Sequence, residues 1–268
     1  MIILINISVS TSKGDRSLFN QQGYKTIDKL DVILLCGGKG QRLKNVTELP
    51  KSLYQINSKE LIKYSLDLLD SRLLKKLIFA LGYKSEVMTK WISENIKHDS
   101  FTIVKEQSEG ILQAVVKCFK FTQTEDILIC NTDEIRLGLD FCNMLEFHRA
   151  HKKTATMAST VCDKLYRHRL LEIRQDNTLL SSRLKPKQFE NRPTISDSVN
   201  IGFLIFNRRF IEYINPNLSL GWSGIIDPLV KAREIKVYRS KNTSYFNVGT
   251  PKEVKEATIF LEQNSADT

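Results

Sequence analysis

The stretch Asp31–Leu53, DVILLCGGKGQRLKNVTELPKSL, constrains this chain most. Its apolar run Val32–Cys36 has the length and residue types of a buried strand, and it stops at Gly37-Gly38-Lys39-Gly40. A strand that ends in a glycine turn is a typical opening of an α/β sheet, with backbone N–H groups exposed at the strand's carboxyl end. Arg42 follows, and then Pro50-Lys51. Glycines let amides approach phosphate oxygens closely, and spaced cations neutralise the remaining charge. The segment is not a P-loop, because no glycine is followed at the required spacing by Gly-Lys-Ser/Thr. It also lacks the third glycine of the dinucleotide fingerprint, since position 43 is Leu.

The pattern after this turn alternates. Strands are expected at Leu77–Leu81, Thr102–Lys105 and Ile127–Cys130. The segment Leu61–Leu74, apolar at 61, 62, 66, 69 and 73, has helical spacing, and Val87–Ile96 and Leu112–Phe121 read as further helices. Strand–helix alternation implies a parallel sheet covered on both faces, with ligands at the carboxyl ends of the strands. The glycine turn, Gln107–Ala114 and Asn131-Thr132-Asp133 all fall there. After about Thr154 the texture becomes β-rich, with strands expected at Thr154–Thr160, Leu170–Arg174, Val199–Phe206 and Tyr245–Gly249 and a closing helix at Glu253–Leu261.

Composition narrows the function classes. A chain of 268 residues with 41% hydrophobic content suits one large α/β domain or a domain with a small appendage. The net charge of +10, from 40 Lys+Arg against 30 Asp+Glu, is scattered, with no long basic block, so nucleic acid is not expected as a partner. Cys36, Cys118, Cys130, Cys142 and Cys162 form no CxxC pair and are odd in number, which fits reduced thiols in a cytoplasmic protein better than a disulfide framework or zinc site. No cationic region precedes the apolar start MIILINISVS, and no apolar run reaches membrane-spanning length, so neither a signal peptide nor membrane insertion is expected. His148, His151 and His168 stand in polar contexts and read as solvated side chains; no nucleophile triad is apparent.

Gly-Gly-x-Gly-x-Arg-Leu followed by Pro-Lys, over Leu35–Leu43 and Pro50-Lys51, resembles the signature of the sugar-1-phosphate nucleotidyltransferases. The resemblance covers roughly residues 31–261. It implies an α/β fold of the nucleotide-diphospho-sugar transferase type: a Rossmann-like mixed sheet, mostly parallel, flanked by helices, with a β-rich sugar-binding half. The expected organisation is an N-terminal extension over 1–30, a nucleotide-binding half over 31–150, a sugar-phosphate half over 151–261 and a tail over 262–268. The implied reaction transfers a nucleotidyl group from a nucleoside triphosphate to a sugar 1-phosphate with Mg²⁺, releasing pyrophosphate, for surface polysaccharide synthesis.

Carried over by position, Leu35, Gly37, Gly38 and Gly40 match the backbone that cradles the nucleotide. Arg42 and Lys51 match the cations on the triphosphate and the sugar phosphate. Gln107 with Gly110-Ile111-Leu112-Gln113-Ala114 resembles the base-reading segment and leans towards a pyrimidine. Asp133 matches the aspartate that holds Mg²⁺, Lys185 a lysine on the sugar phosphate, and Asn200-x-Gly202 a strand lining the sugar pocket. Asn247 stands where most members carry a second metal-binding Asp.

The chain departs from the pattern at Asn247, at Leu184 in place of Glu, at Tyr166-Arg167-His168-Arg169 in place of Tyr-Gly, and at Trp222–Pro228, where no late Glu is found and Asp227 is a poor substitute. The alternatives are a regulatory homologue that binds nucleotide or sugar phosphate with little catalysis, and a cytidylyltransferase acting on a non-sugar phosphate such as phosphocholine. Whether the chain forms a homo-oligomer is left open.

Overall fold

The structure, a computed structural model, describes residues 28–43, 48–98, 100–105, 110–161, 170–183, 195–218 and 221–265. Strand β1 (Leu30–Leu35) leads through a short hairpin, β2 (Gln55–Ile56) and β3 (Lys59–Glu60), into α1 (Leu61–Leu66). The alternation continues with β4 (Leu74–Leu81), α2 (Ser85–Asn95), β5 (Phe101–Lys105), α3 (Ile111–Phe119) and β6 (Asp126–Asn131). Strand β7 (Glu134–Leu137) and α4 (Phe141–His151) precede β8 (Ala155–Val161), β9 (Leu170–Ile173), β10 (Leu179–Arg183) and β11 (Ile195–Asn207). Helix α5 (Ser223–Lys231), β12 (Ile235–Arg239), β13 (Ser244–Asn247) and α6 (Pro251–Ser265) complete the described elements.

Nine of these strands form one sheet, with the path β10-β9-β11-β6-β1-β4-β5 and with β8 joining β11 to β12. Strand β1 lies between β4 and β6 and is parallel to both, and β5 is parallel to β4. Strand β11 turns antiparallel against β6 and β8. The sheet is therefore the mixed, Rossmann-like one implied by the sequence, with antiparallel strands added in the second half. Alternating side chains serve opposite faces. Val32, Leu34, Phe79 and Cys130 pack with Ile62, Met88, Ile92 and Met144 on one side, and Ile33, Ile78 and Ile129 pack with Leu112, Val115, Ile225 and Leu229 on the other. Two-faced burial explains why the first strands read as continuous apolar runs.

Several expectations are corrected. The helix expected over Leu61–Leu74 stops at Leu66, and Asp70 caps a separate 3-10 turn, Ser71–Leu73, by accepting from the Arg72 N–H. Leu68 and Leu69 still pack against the core, so the apolar spacing tracked burial across a break in the helix. Helices α4 and α5 were not anticipated. In α4 the buried positions Phe141, Met144, Leu145 and His148 do recur at helical spacing behind the N-cap Asp140.

His148 is buried, not solvated: its Nδ1 lies 2.8 Å from Thr156 Oγ1. His151 is half-buried, and its Nε2 lies 2.6 Å from the same hydroxyl. Cys36, Cys118 and Cys130 are buried thiols, whereas Cys142 is exposed. Burial pushes Cys36 up to about 12 and Cys130 to about 11, which keeps both protonated and unreactive. Among the described residues no helix is long and apolar enough to cross a membrane.

Candidate active site

The chain passes from β1 to β4 on one side and later reaches β6 on the other, so the crevice above β1 is a topological switch point, where open α/β sheets take ligands. A cavity of about 420 Å³ opens there. One part is apolar, formed by Leu35, Ala80, Leu81, Val104, Ile111 and Ala114. The other is polar and charged, with Arg42, Lys51, Asn131, Asp133, Glu134 and Asn247 on its wall. The shape suits a planar apolar body joined to an anionic chain.

Each polar group arrives by a separate structural device. Pro50 introduces a 3-10 turn, Lys51–Leu53, which buries the Lys51 stem while its Nζ reaches Asp133 Oδ2 at 2.6 Å. The loop after β6 is locked beneath this pair. Thr132 Oγ1 donates to the Leu35 carbonyl at 2.8 Å and lies 2.7 Å from Ser52 Oγ. Asn247 comes from far along the sequence: β13 pairs antiparallel with β7, setting Asn247 opposite Glu134, one residue beyond Asp133. The Arg42 guanidinium crosses Gly249, where a Cβ would lie 3.0 Å from Arg42 Nη2.

The glycines divide by role. A Cβ on Gly38 would meet nothing within 4 Å, so the protein itself leaves the space beside Gly38 empty on the cavity wall. Gly37 is in backbone contact with Gly82, where a Cβ would lie 2.9 Å from the Gly37 carbonyl oxygen. Gly82 was missed in the sequence. Gly40 does not line the cavity; at φ +56° it adopts the left-handed conformation and packs against the Lys51 stem. Gly110 lines the cavity just before α3, while Gln113 turns away and donates to the carbonyls of Pro216 and Leu218 at 2.6 and 3.0 Å.

Asn200 and Gly202 lie behind the cavity wall. Gly202 has φ +62° in an irregular part of β11, and Asn200 Oδ1 accepts its N–H at 2.9 Å. A side chain there would strike Glu134, Asn131 and Arg136. Gln107, Lys185, Leu184 and Tyr166-Arg167-His168-Arg169 lie outside the described residues. Asp227 is exposed on α5 and does not line the cavity.

Sequence reasoning also missed a second ion pair. Arg136 is fully buried, and its Nη2 donates to Glu134 Oε2 at 2.5 Å. Its other donors reach the carbonyls of Ile201, Gly202, Asn131 and Glu134 and the Ser65 hydroxyl. Burial pushes the Glu134 carboxyl up; Arg136 pulls it back down, and the nearby Asp133 adds to the rise. No sequence motif flags Arg136, because one cation in a short strand normally reads as exposed.

The donor set suits a hard divalent cation. Asp133 supplies carboxylate oxygen and Asn247 amide oxygen on the same wall. Mg²⁺ is commonly held by one or two protein oxygens together with water and substrate phosphate. Among the described residues no group of three or more His, Cys, Asp or Glu forms a closed metal cage, so substrate oxygens would have to complete the shell.

The family model described as nucleotidyl transferase matches residues 31–264. A D-glycero-alpha-D-manno-heptose 1-phosphate guanylyltransferase from Aneurinibacillus thermoaerophilus is 28% identical over 237 residues, covering 87% of this chain and 99% of that protein. A mannose-1-phosphate guanylyltransferase catalytic subunit beta from Drosophila pseudoobscura pseudoobscura is 24% identical across 83% of this chain, which spans only 60% of that longer relative. The crystal structure of HddC from Yersinia pseudotuberculosis complexed with GMP-PN has a TM-score of 0.68 at 21% identity, covering 87% of this chain and 99% of that one, and shows the common fold.

Proposed function

The chain belongs to the nucleotidyl transferase family, and from that premise we propose that it joins a nucleoside triphosphate to a sugar 1-phosphate, giving a nucleoside-diphosphate sugar and pyrophosphate. The observation that carries this is the Lys51–Asp133 pair at 2.6 Å, set beside Arg42 and Asn247 at the switch point. An oxygen of the sugar phosphate attacks the α-phosphorus in line, the bond from that phosphorus to the bridging oxygen breaks, and pyrophosphate leaves with the electron pair. No protein nucleophile is required. Positioning and charge neutralisation carry most of such a reaction.

Arg42 and Lys51 hold the phosphates and counter the repulsion between two anions. Leu35, Gly37, Gly38 and Gly110 border the apolar part, where the base would lie; Gln107 and Lys185 keep their sequence-based roles as base and sugar-phosphate contacts. Asn200 and Gly202 act from behind the wall by shaping it. Asp133 and Asn247 would hold Mg²⁺, which when bound supplies charge neutralisation on phosphate oxygens. The relatives named above are guanylyltransferases, which favours GTP over the pyrimidine nucleotides suggested by the Gly110 segment. A cytoplasmic location suits both substrates.

Pyrophosphate release across ATP, CTP, GTP, UTP and dTTP, each with hexose and heptose 1-phosphates, tests the reading. Release with at least one pair, highest with GTP, is expected. Nucleotide binding without release from any pair would favour the regulatory alternative, and release with phosphocholine and CTP alone would favour the cytidylyltransferase.

A further inference from the structure

Helix α3 brings a lysine to the apolar part of the cavity, where the other described lining residues are uncharged. Gly110 at the N-cap, Ala114 and Lys117 stand at i, i+4 and i+7, one stripe along the helix, and all three line the cavity. Leu112, Val115 and Cys118, on the neighbouring stripe, are buried and pack with Ile78, Ala80 and Val104 of the sheet. Turning Lys117 away would lift that apolar face out of the core, so the rotation of the helix is fixed by its packing. Helical side chains lean towards the N-terminus, and the Lys117 stem therefore runs back over the Ala114 turn, towards the end of α3 that borders the slot. A lysine in the last turn of a helix also complements the helix dipole, which would account for an exposed one. Lys117 is half-buried on the cavity stripe, and that position places it to meet a ligand as well.

An ammonium donates hydrogen bonds and accepts none. Against the edge of a nucleobase it favours a ring carbonyl and disfavours an exocyclic amino group. Guanine presents O6 and N7, two acceptors side by side, whereas uracil and thymine present O4 alone; adenine and cytosine carry an amino group at the corresponding position. Among the common bases guanine therefore offers a lysine the most, and apolar walls strengthen such a bond by keeping water from competing.

We propose that Lys117 selects the base, donating to the O6–N7 edge of a guanine held in the apolar slot. That the guanine nucleotide serves as nucleotidyl donor rests on the transferase reading above; the base selection itself is tested by binding.

Calorimetric titration of the full chain, with Mg²⁺ and without acceptor, compares GTP, ATP and the triphosphate of 2-aminopurine riboside, which keeps N7 and lacks O6. The unaltered protein should bind GTP about tenfold or more tighter than the 2-aminopurine nucleotide, equivalent to about 1.4 kcal/mol. In Lys117→Met, GTP should weaken about tenfold while the 2-aminopurine nucleotide stays within about threefold, so that the preference is lost. Lys117→Gln carries an amide that both donates and accepts, as adenine N6 and N7 require, and should bind ATP about threefold or more tighter than the unaltered protein does. A damaged fold cannot produce that gain. Equal weakening of GTP and the 2-aminopurine nucleotide in Lys117→Met overturns the assignment, as does no change in either, a preference of the unaltered protein for ATP, or ATP binding that Lys117→Gln leaves unimproved. Pyrophosphate release from any nucleotide and sugar 1-phosphate alongside those results leaves the transferase standing. Base selection as described, with no release from any pair, removes the transferase reading alone.

Discussion

Lys51→Met removes one positive charge from the cavity and keeps most of the aliphatic stem that packs on Gly40. Lys51 is 8% exposed, and its ammonium lies 2.6 Å from Asp133. A phosphate oxygen held about 4 Å from that ammonium would interact with it by roughly 4 kcal/mol at an effective dielectric near 20. Part of that acts equally on bound substrate, so the loss specific to the transition state is about 3 kcal/mol, or roughly 10² in kcat. The fold should lose less than for a fully buried pair, because the Asp133 side chain is 33% exposed and can be hydrated once its partner is gone; only a fully exposed pair would cost as little as about 1 kcal/mol.

Arg136→Met should behave in the opposite way. It strands Glu134 at 9% exposure, and breaking a buried pair costs about 3–5 kcal/mol. In a domain of this size that is roughly a 6–20 °C fall in Tm. Pyrophosphate release and a thermal melt, run on both variants, separate the two pairs. A Lys51→Met protein with near-normal turnover, or one that loses as much Tm as Arg136→Met, would refute the division into a working pair and a supporting pair.

Asn247→Asp adds a second carboxylate beside Asp133 and should raise Mn²⁺ affinity measured by calorimetry or electron paramagnetic resonance; unchanged affinity would remove Asn247 from the metal set. Burial, and then the neighbouring His148, Lys236 and Lys153, push His151 down to about 4. An unfolded histidine takes up its proton near 6.5, so the unfolded chain binds more protons between these values and stability should fall as pH drops from about 6.5 to about 4. His151→Gln should flatten that slope in urea unfolding; an unchanged slope would mean that other groups set it.

The residues legible in the sequence were those whose chemistry depends on local spacing. Gly37, Gly38, Arg42 and Lys51 sit within one short segment, and Asp133 follows a recognisable strand, so their meeting at one cavity could be anticipated. Asn247 lines the cavity because the β7–β13 ribbon brings it opposite Glu134, and only the family pattern, not local spacing, drew attention to that position in the sequence. Arg136 was illegible for a physical reason: its importance lies in burial and in long-range partners, and it has no sequence period. Gly82 is similar, since what requires it is the Gly37 backbone on the neighbouring strand. Helix α5 contains Pro228 and begins after a glycine, which hid its apolar face. The break after Leu66 shows the converse, since apolar spacing reports which residues are buried even where the helix does not continue.

The central claim is a specific exchange at the α-phosphorus. Incubation with α-labelled and, separately, γ-labelled nucleoside triphosphate, a sugar 1-phosphate and Mg²⁺ reports on it directly. The account predicts that the α label appears in a sugar nucleotide and the γ label in pyrophosphate, with both transfers suppressed in Lys51→Met. Release of the γ label as inorganic phosphate, with no α label joined to sugar, would contradict it.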